Sequence, residues 1–207
     1  EKMRPGDVYL TNDPWKGTGH LFDFTVVTPA FIDENLVGLL ASTVHVVDIG
    51  GRGFGPDAGQ IYEEGLCIPI LPLFEEGKAS EAIMSIVRAN VREPDQVIGD
   101  LYSLTVGNAV GCARLIEMMS GFSLADLDEI GEHIVAKSRK AVLDEIAELP
   151  HGIWENEMTV DGYGAPVILK ATLEISKSGV DVDFTGTSAV SPFGINVPLS
   201  YSQAYAS

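Results

Sequence analysis

Two apolar runs lie near the start of the chain. Phe24 to Ile32 (FTVVTPAFI) and Leu36 to Val44 (LVGLLASTV) are partly β-branched, and Asp33-Glu34-Asn35 separates them. That pattern predicts a β-hairpin. With the turn centred on Glu34, an antiparallel pairing sets Ile32 opposite Leu36, Asp23 opposite His45 and His20 opposite Asp48. Before the hairpin, Arg4-Pro5-Gly6-Asp7 predicts a turn that feeds a short strand at Val8-Tyr9-Leu10. After it, residues 51 to 60 (GRGFGPDAGQ) are too glycine-dense for regular structure. Cys67 to Phe74 (CIPILPLF) carries two prolines, which predicts a buried extended segment or an edge strand.

The pattern then changes to helical spacing. Residues 80 to 91 form a short amphipathic helix with Ser80 placed to cap it. Residues 95 to 120 fit a helix packed on several sides, and Gly107, Ala109, Gly111 and Ala113 suggest a close approach to its neighbours. Met118 and Met119 read as core filler. Ser123 to Leu149 is the clearest helix, with Ser123 as its cap and Pro150 as its stop. Beyond residue 152, alternating segments around Gly162-Tyr163-Gly164 and Lys177-Ser178-Gly179 predict a three-stranded antiparallel meander. Asn196-Val197-Pro198 opens a new segment.

The expected class is α+β, with mixed sheets, an N-terminal β-hairpin, central helices and a C-terminal antiparallel meander. It is read as one incomplete domain over residues 1–207. Residues 1–122 hold the hairpin, glycine-rich loop and helices, 123–149 the long helix, and 150–207 the antiparallel β region. The chain begins at Glu1 rather than Met, and Tyr-Ser-Gln-Ala-Tyr-Ala-Ser ends it without a terminating signal. A portion of a longer protein is therefore expected.

Composition is that of a globular protein, with 45% apolar and 21% charged residues in 207. A formal net charge of −17 argues against nucleic acid, whose phosphates need clustered Lys and Arg. It argues equally against an anionic membrane surface. No apolar stretch reaches the roughly 18 residues of a membrane span, and a cytoplasmic location is expected. Cys67 and Cys112 are the two cysteines, far apart in sequence, and are read as buried reduced thiols rather than a disulfide.

The candidate chemistry sits at the open end of the predicted hairpin. His20 and His45 are each followed three residues later by an aspartate, Asp23 and Asp48. One such pair alone reads as a core or surface histidine with an aspartate that happens to follow. Two pairs placed symmetrically about one hairpin form a mixed nitrogen and oxygen donor set of the kind that holds Zn²⁺, Mn²⁺ or Fe²⁺. Residues three apart face opposite sides of an ideal strand, so at least one residue of each pair must sit in irregular backbone. Asp13, in Asn12-Asp13-Pro14, is a backbone cap or a further ligand. His133 and His151 read as structural.

The glycine-rich loop lacks the spacing of a phosphate-binding P-loop. With these segments in order, the chain resembles the hydantoinase B/oxoprolinase family. The resemblance rests on Gly6 to Asp23 (GDVYLTNDPWKGTGHLFD), His45 to Gly51 (HVVDIGG), Glu64-Gly65, Asn90-Val91-Arg92, Gly99-Asp100-Leu101 and the run from Asp183 to Pro198. Relatives often carry a second histidine after the first in the His-x-x-Asp segment and a glutamine after Gly-Asp-Leu. This chain has Val46 and Leu104 there.

The resemblance implies a metal-dependent subunit working with a hydantoinase A-type, ATP-binding subunit in a hetero-oligomer. The ATP-binding partner would phosphorylate a lactam, imide or enol oxygen. The metal subunit would then complete the ring opening of a cyclic amide with a water of lowered pKa. Asp13, His20, Asp23, His45 and Asp48 are the candidate metal ligands. No residue is singled out as general base. A subunit of an ATP-dependent ketone carboxylase and a non-catalytic scaffold that orders the ATP-binding partner are the alternatives.

Overall fold

The computed structural model describes residues 3–206. It has the expected α+β class. In chain order its elements are β1 (Val8–Thr11), β2 (Asp23–Ile32), β3 (Asn35–His45), α1 (Ile61–Glu64), β4 (Leu71–Glu75), β5 (Lys78–Ala79), α2 (Glu81–Asn90), α3 (Pro94–Gly121), α4 (Asp128–Glu148), β6 (Gly152–Val160), β7 (Val167–Ser176), β8 (Gly179–Asp183) and α5 (Leu199–Ala206). The described residues fall into two compact units. One holds residues 3–126 with Pro192–Tyr205, the other Leu127–Ser191.

The first unit is a five-stranded antiparallel sheet in the order β3-β2-β1-β4-β5, with α2 and α3 on one face. Strand alternation decides which side chains enter its core. On β2, Phe24 and Val26 are fully buried while Asp23, Thr25 and Val27 lie on the other face. Leu10, Leu73, Val87, Val97 and Leu101 complete the apolar interior from β1, β4 and the two helices. Pro72 lies on β4 opposite Tyr9, beside a register shift in which Leu73 of β4 is the extra residue. β4 is flanked beyond only by the two-residue β5, so the segment comes close to the predicted edge strand.

The hairpin is β2–β3, and its register holds a correction. Ile32 pairs with Asn35 rather than Leu36, so the loop is Asp33-Glu34 alone, with Asp33 at φ +54°. The register then shifts between Ala30, opposite Gly38, and Phe31, opposite Leu36. Val37 is the extra residue, a β-bulge on β3. A loop one residue shorter than expected and a bulge one residue long cancel. Asp23 therefore meets His45 as the sequence predicts.

α3 runs from Pro94, whose missing N–H is no loss in a first turn, to Gly121. It lies close on the hairpin. Asn108 is buried and donates from Nδ2 to the carbonyls of Val26 (3.0 Å) and Leu40 (3.2 Å). A Cβ on Gly111 would run into the Leu40 side chain, which explains that glycine; Gly107 has open space instead. Ser80 occupies the N-cap position of α2 but makes no side-chain capping bond.

Ser123 ends α3 instead of starting the next helix. It has φ +55°, its N–H bonds to Ser120 O, and the N–H of Leu124 bonds to Met119 O. That is the Schellman pattern of a helix C-terminus. α4 starts five residues later than expected, after Leu127. In the second unit α4 packs on β7 and β8 of the sheet β6-β7-β8, the predicted meander. Its His133 is exposed, as is His151. Cys112 is buried and Cys67 is exposed, which corrects the reading of two buried thiols. Among the described residues, no helix is long and apolar enough to cross a membrane.

Asn12 ties the loops beside the hairpin together. It is 1% exposed, donates from Nδ2 to Leu21 O (2.7 Å) and Leu66 O (2.8 Å), and accepts from Ile68 N (2.6 Å). Removing the amide strands three backbone groups, each at a penalty of about 1–3 kcal/mol. Asn12→Ala is expected to lower unfolding stability by about 3 kcal/mol, read from the denaturation midpoint in urea.

Candidate metal centre

The site is built on the ends of the hairpin. Asp23 is the first residue of β2 and His45 the last of β3, directly opposed on the face away from α2 and α3. His45 Nδ1 is 3.2 Å from Asp23 Oδ1. His20 precedes β2 in a turn, where the N–H of Asp23 bonds to His20 O at 3.3 Å. That turn is the irregular backbone which lets two residues three apart face one another. His20 Nδ1 stands 3.5 Å from the same Oδ1. Gly19 makes the turn possible, with φ +109° and Tyr201 of α5 packed so closely that a Cβ would lie 2.9 Å from its ring.

Each of His20, Asp23 and His45 offers one donor atom within 4.8 Å of the others, the only such trio among the described residues. Two donors held by one metal at about 2.1 Å and a tetrahedral angle stand about 3.4 Å apart. The observed separations of 3.2 and 3.5 Å bracket that value. His20 Nδ1 is itself buried and makes no hydrogen bond, an unusual state for a buried polar atom and one that a metal relieves. The donor set of two imidazoles and one carboxylate suits a divalent transition metal and leaves coordination positions open. The residues therefore fit the group.

Rings surround the two histidines. Phe22 stacks on His45 with centroids 5.2 Å apart and planes 14° from parallel. Phe54, from the glycine-rich loop, meets the rings of His20, His45 and Phe22 edge to face at 5.3–5.9 Å. Such contacts limit imidazole rotation. Thr18 donates from Oγ1 to Asp23 Oδ2. Phe22, Phe54 and Thr18 were not singled out from the sequence. Phe22 lies between His20 and Asp23, and Thr18 just before them; that nearness is the one signal that pointed their way.

Two of the five candidate ligands are not brought into the cluster. Asp13 accepts a bond from Trp15 N (2.9 Å) through Oδ1, and its carbonyl accepts from Lys16 and Gly17, so it is the backbone cap of a turn. Asp48 is buried and bound to Arg92, which donates its backbone N–H to Oδ2 and its Nη1 to Oδ1 at 2.6 Å. The same guanidinium donates to the carbonyls of Gly50 and Gly51. Asp48 thus anchors the glycine turn after the hairpin. Those glycines are required there: both have positive φ, and a Cβ would collide with Asn90 O at one and Glu64 O at the other. Val46 and Leu104 both turn to the core, Val46 fully buried, on the opposite side of the strand from His45.

The family model described as Hydantoinase B/oxoprolinase matches residues 1–207. The chain belongs to this family. The putative B-type subunit of a D-/L-hydantoinase from a Pseudomonas species is 30% identical over 96% of this chain and 36% of its own length. The crystal structure of the ATP-dependent caprolactamase of Pseudomonas jessenii matches with a TM-score of 0.87 and 25% identity, over 99% of this chain and 36% of that one. The nucleotide-free structure of acetone carboxylase shares the fold, with a TM-score of 0.83 at 17% identity over 93% of this chain and 28% of that one. The chain thus spans about a third of the length of these relatives.

Burial is the largest influence on Asp48 and pushes its pKa up, but the backbone and guanidinium donors of Arg92, the Gly50 N–H and the charge of Arg92 together hold it below the ordinary 3.8. A carboxylate depressed on folding contributes stability above its unfolded pKa and loses it as pH falls through the folded value. Asp48→Asn is therefore expected to be less stable than wild type at pH 7, with the difference shrinking below pH 3.8. Urea unfolding at both ends of that range reads the outcome.

Proposed function

We propose that this chain carries the metal centre of an ATP-dependent hydrolase of cyclic amides, working with an ATP-binding partner subunit in a hetero-oligomer. The observation that carries the reading is the convergence of His20, Asp23 and His45 at the open end of the β2–β3 hairpin. The hydantoinase subunit at 30% identity and the ATP-dependent caprolactamase at 25% support the substrate class. The partner subunit spends ATP to phosphorylate the amide oxygen, and a cytoplasmic location goes with that need for ATP.

His20 and His45 are the neutral nitrogen donors and Asp23 the anionic one. A divalent transition metal, Zn²⁺, Mn²⁺ or Fe²⁺, supplies Lewis acidity and lowers the pKa of a water when bound there. Asp23 keeps its Oδ1 directed at both histidines because Thr18 holds Oδ2. Phe22 fixes the plane of His45, and Phe54 covers the two rings at their edges. The imidazoles are half exposed on the sheet face that α2 and α3 leave uncovered, with side-chain exposures of 41% and 48%. A small cyclic amide can reach them from that side.

His45→Ala in the complete subunit, assembled with its ATP-binding partner, tests the reading. Ring-opened acid is expected to fall to background while ATP-dependent phosphorylation of the amide persists. Normal product formation by the variant would remove His45 from the mechanism.

A further inference from the structure

We propose that Thr18 is a positioning residue of the metal centre, holding Asp23 as a one-oxygen ligand. The inference rests on the metal reading above and extends it to a residue outside the ligand trio. A carboxylate has two equivalent oxygens and binds a metal through one or both. Here the two are made unequal. Oδ2 accepts the Thr18 hydroxyl, and Oδ1 alone faces His20 Nδ1 and His45 Nδ1. Because a hydroxyl donates one proton, the bond fixes which oxygen is left for the metal and turns the carboxylate plane with it.

The loop that carries Thr18 is held at both ends. At its start the Asp13 carbonyl accepts from Gly17 N at 2.8 Å and from Lys16 N at 3.1 Å. At its end Tyr201 packs on Gly19. Gly17 itself runs close by the hairpin, since a Cβ there would meet Asp13 O at 3.3 Å and Thr25 Oγ1 at 3.7 Å. The hydroxyl is thus presented from a fixed backbone rather than from a free side chain. Such outer partners of ligands change metal affinity by about 10–100-fold when lost. Without the Thr18 bond, Oδ2 is free to join Oδ1 on the metal, and the coordination number rises.

Co²⁺ is the probe, because its visible absorption reports coordination number and needs no turnover. Wild type, Thr18→Val, Thr18→Ala and Thr18→Ser are titrated with Co²⁺ against a competing chelator, with the unfolding midpoint of each metal-free variant measured alongside. Thr18→Val and Thr18→Ala are expected to bind Co²⁺ about tenfold more weakly, with weaker visible bands, and Thr18→Ser to restore both. A Thr18→Val protein with wild-type affinity and spectrum would overturn the role of Thr18 and leave the metal reading standing. So would a Thr18→Ser protein that keeps a wild-type unfolding midpoint but behaves like Thr18→Ala. Failure of wild type itself to bind Co²⁺ would overturn the metal reading and this inference together.

Discussion

The register of the β2–β3 hairpin is the constraint on which the site depends. In a strand pair a slip of one residue sends every side chain to the opposite face. Here that would turn Asp23 or His45 toward the core and break the histidine–aspartate contact across the sheet. The register is held from two sides. Phe24 and Val26 must face α3, and Asn108 of α3 bonds to carbonyls of both strands. The bulge at Val37 absorbs the mismatch left by the two-residue loop. Local irregularity at the closed end thus preserves alignment at the open end, about seven residue pairs away.

Around this pair, the neighbouring loops are fixed by polar side chains that are spent on backbone. Asn12 joins the segments at Leu21, Leu66 and Ile68, and Asp48 with Arg92 joins the turn after β3 to the end of α2. Asn12 and Asp48 are buried and fully bonded, whereas His20 Nδ1, like Thr28 Oγ1 and Ser42 Oγ, is buried without a hydrogen bond. Burial pushes the Glu64 carboxyl above its ordinary value.

Periodicity made the strands, the meander and α3 legible in the sequence, and the symmetry of two His-x-x-Asp pairs pointed to the hairpin end. The symmetry misled for Asp48. It lies past the last residue of β3, and its partner Arg92 is 44 residues away, a pairing that no local pattern announces. Asp13 followed the ordinary behaviour of an aspartate before proline. Ser123 looked like a helix cap because Ser serves that role often, yet left-handed backbone placed it at the end of α3. Thr18 and Phe54 were not legible on their own, since a lone hydroxyl and a lone ring acquire meaning only from what they touch.

Family membership over residues 1–207 and the structural match to a caprolactamase give the fold its functional setting. Within that fold the site consists of the donor trio, the hydroxyl behind its carboxylate and the rings beside its imidazoles. The central claim is that the trio holds a metal. Elemental analysis of the purified protein and of the His20→Ala/His45→Ala double variant tests it most directly. The account predicts near-stoichiometric transition metal in the first and its loss in the second. Metal-free wild type after reloading with Zn²⁺, Mn²⁺ and Fe²⁺, or equal metal in both proteins, would contradict it.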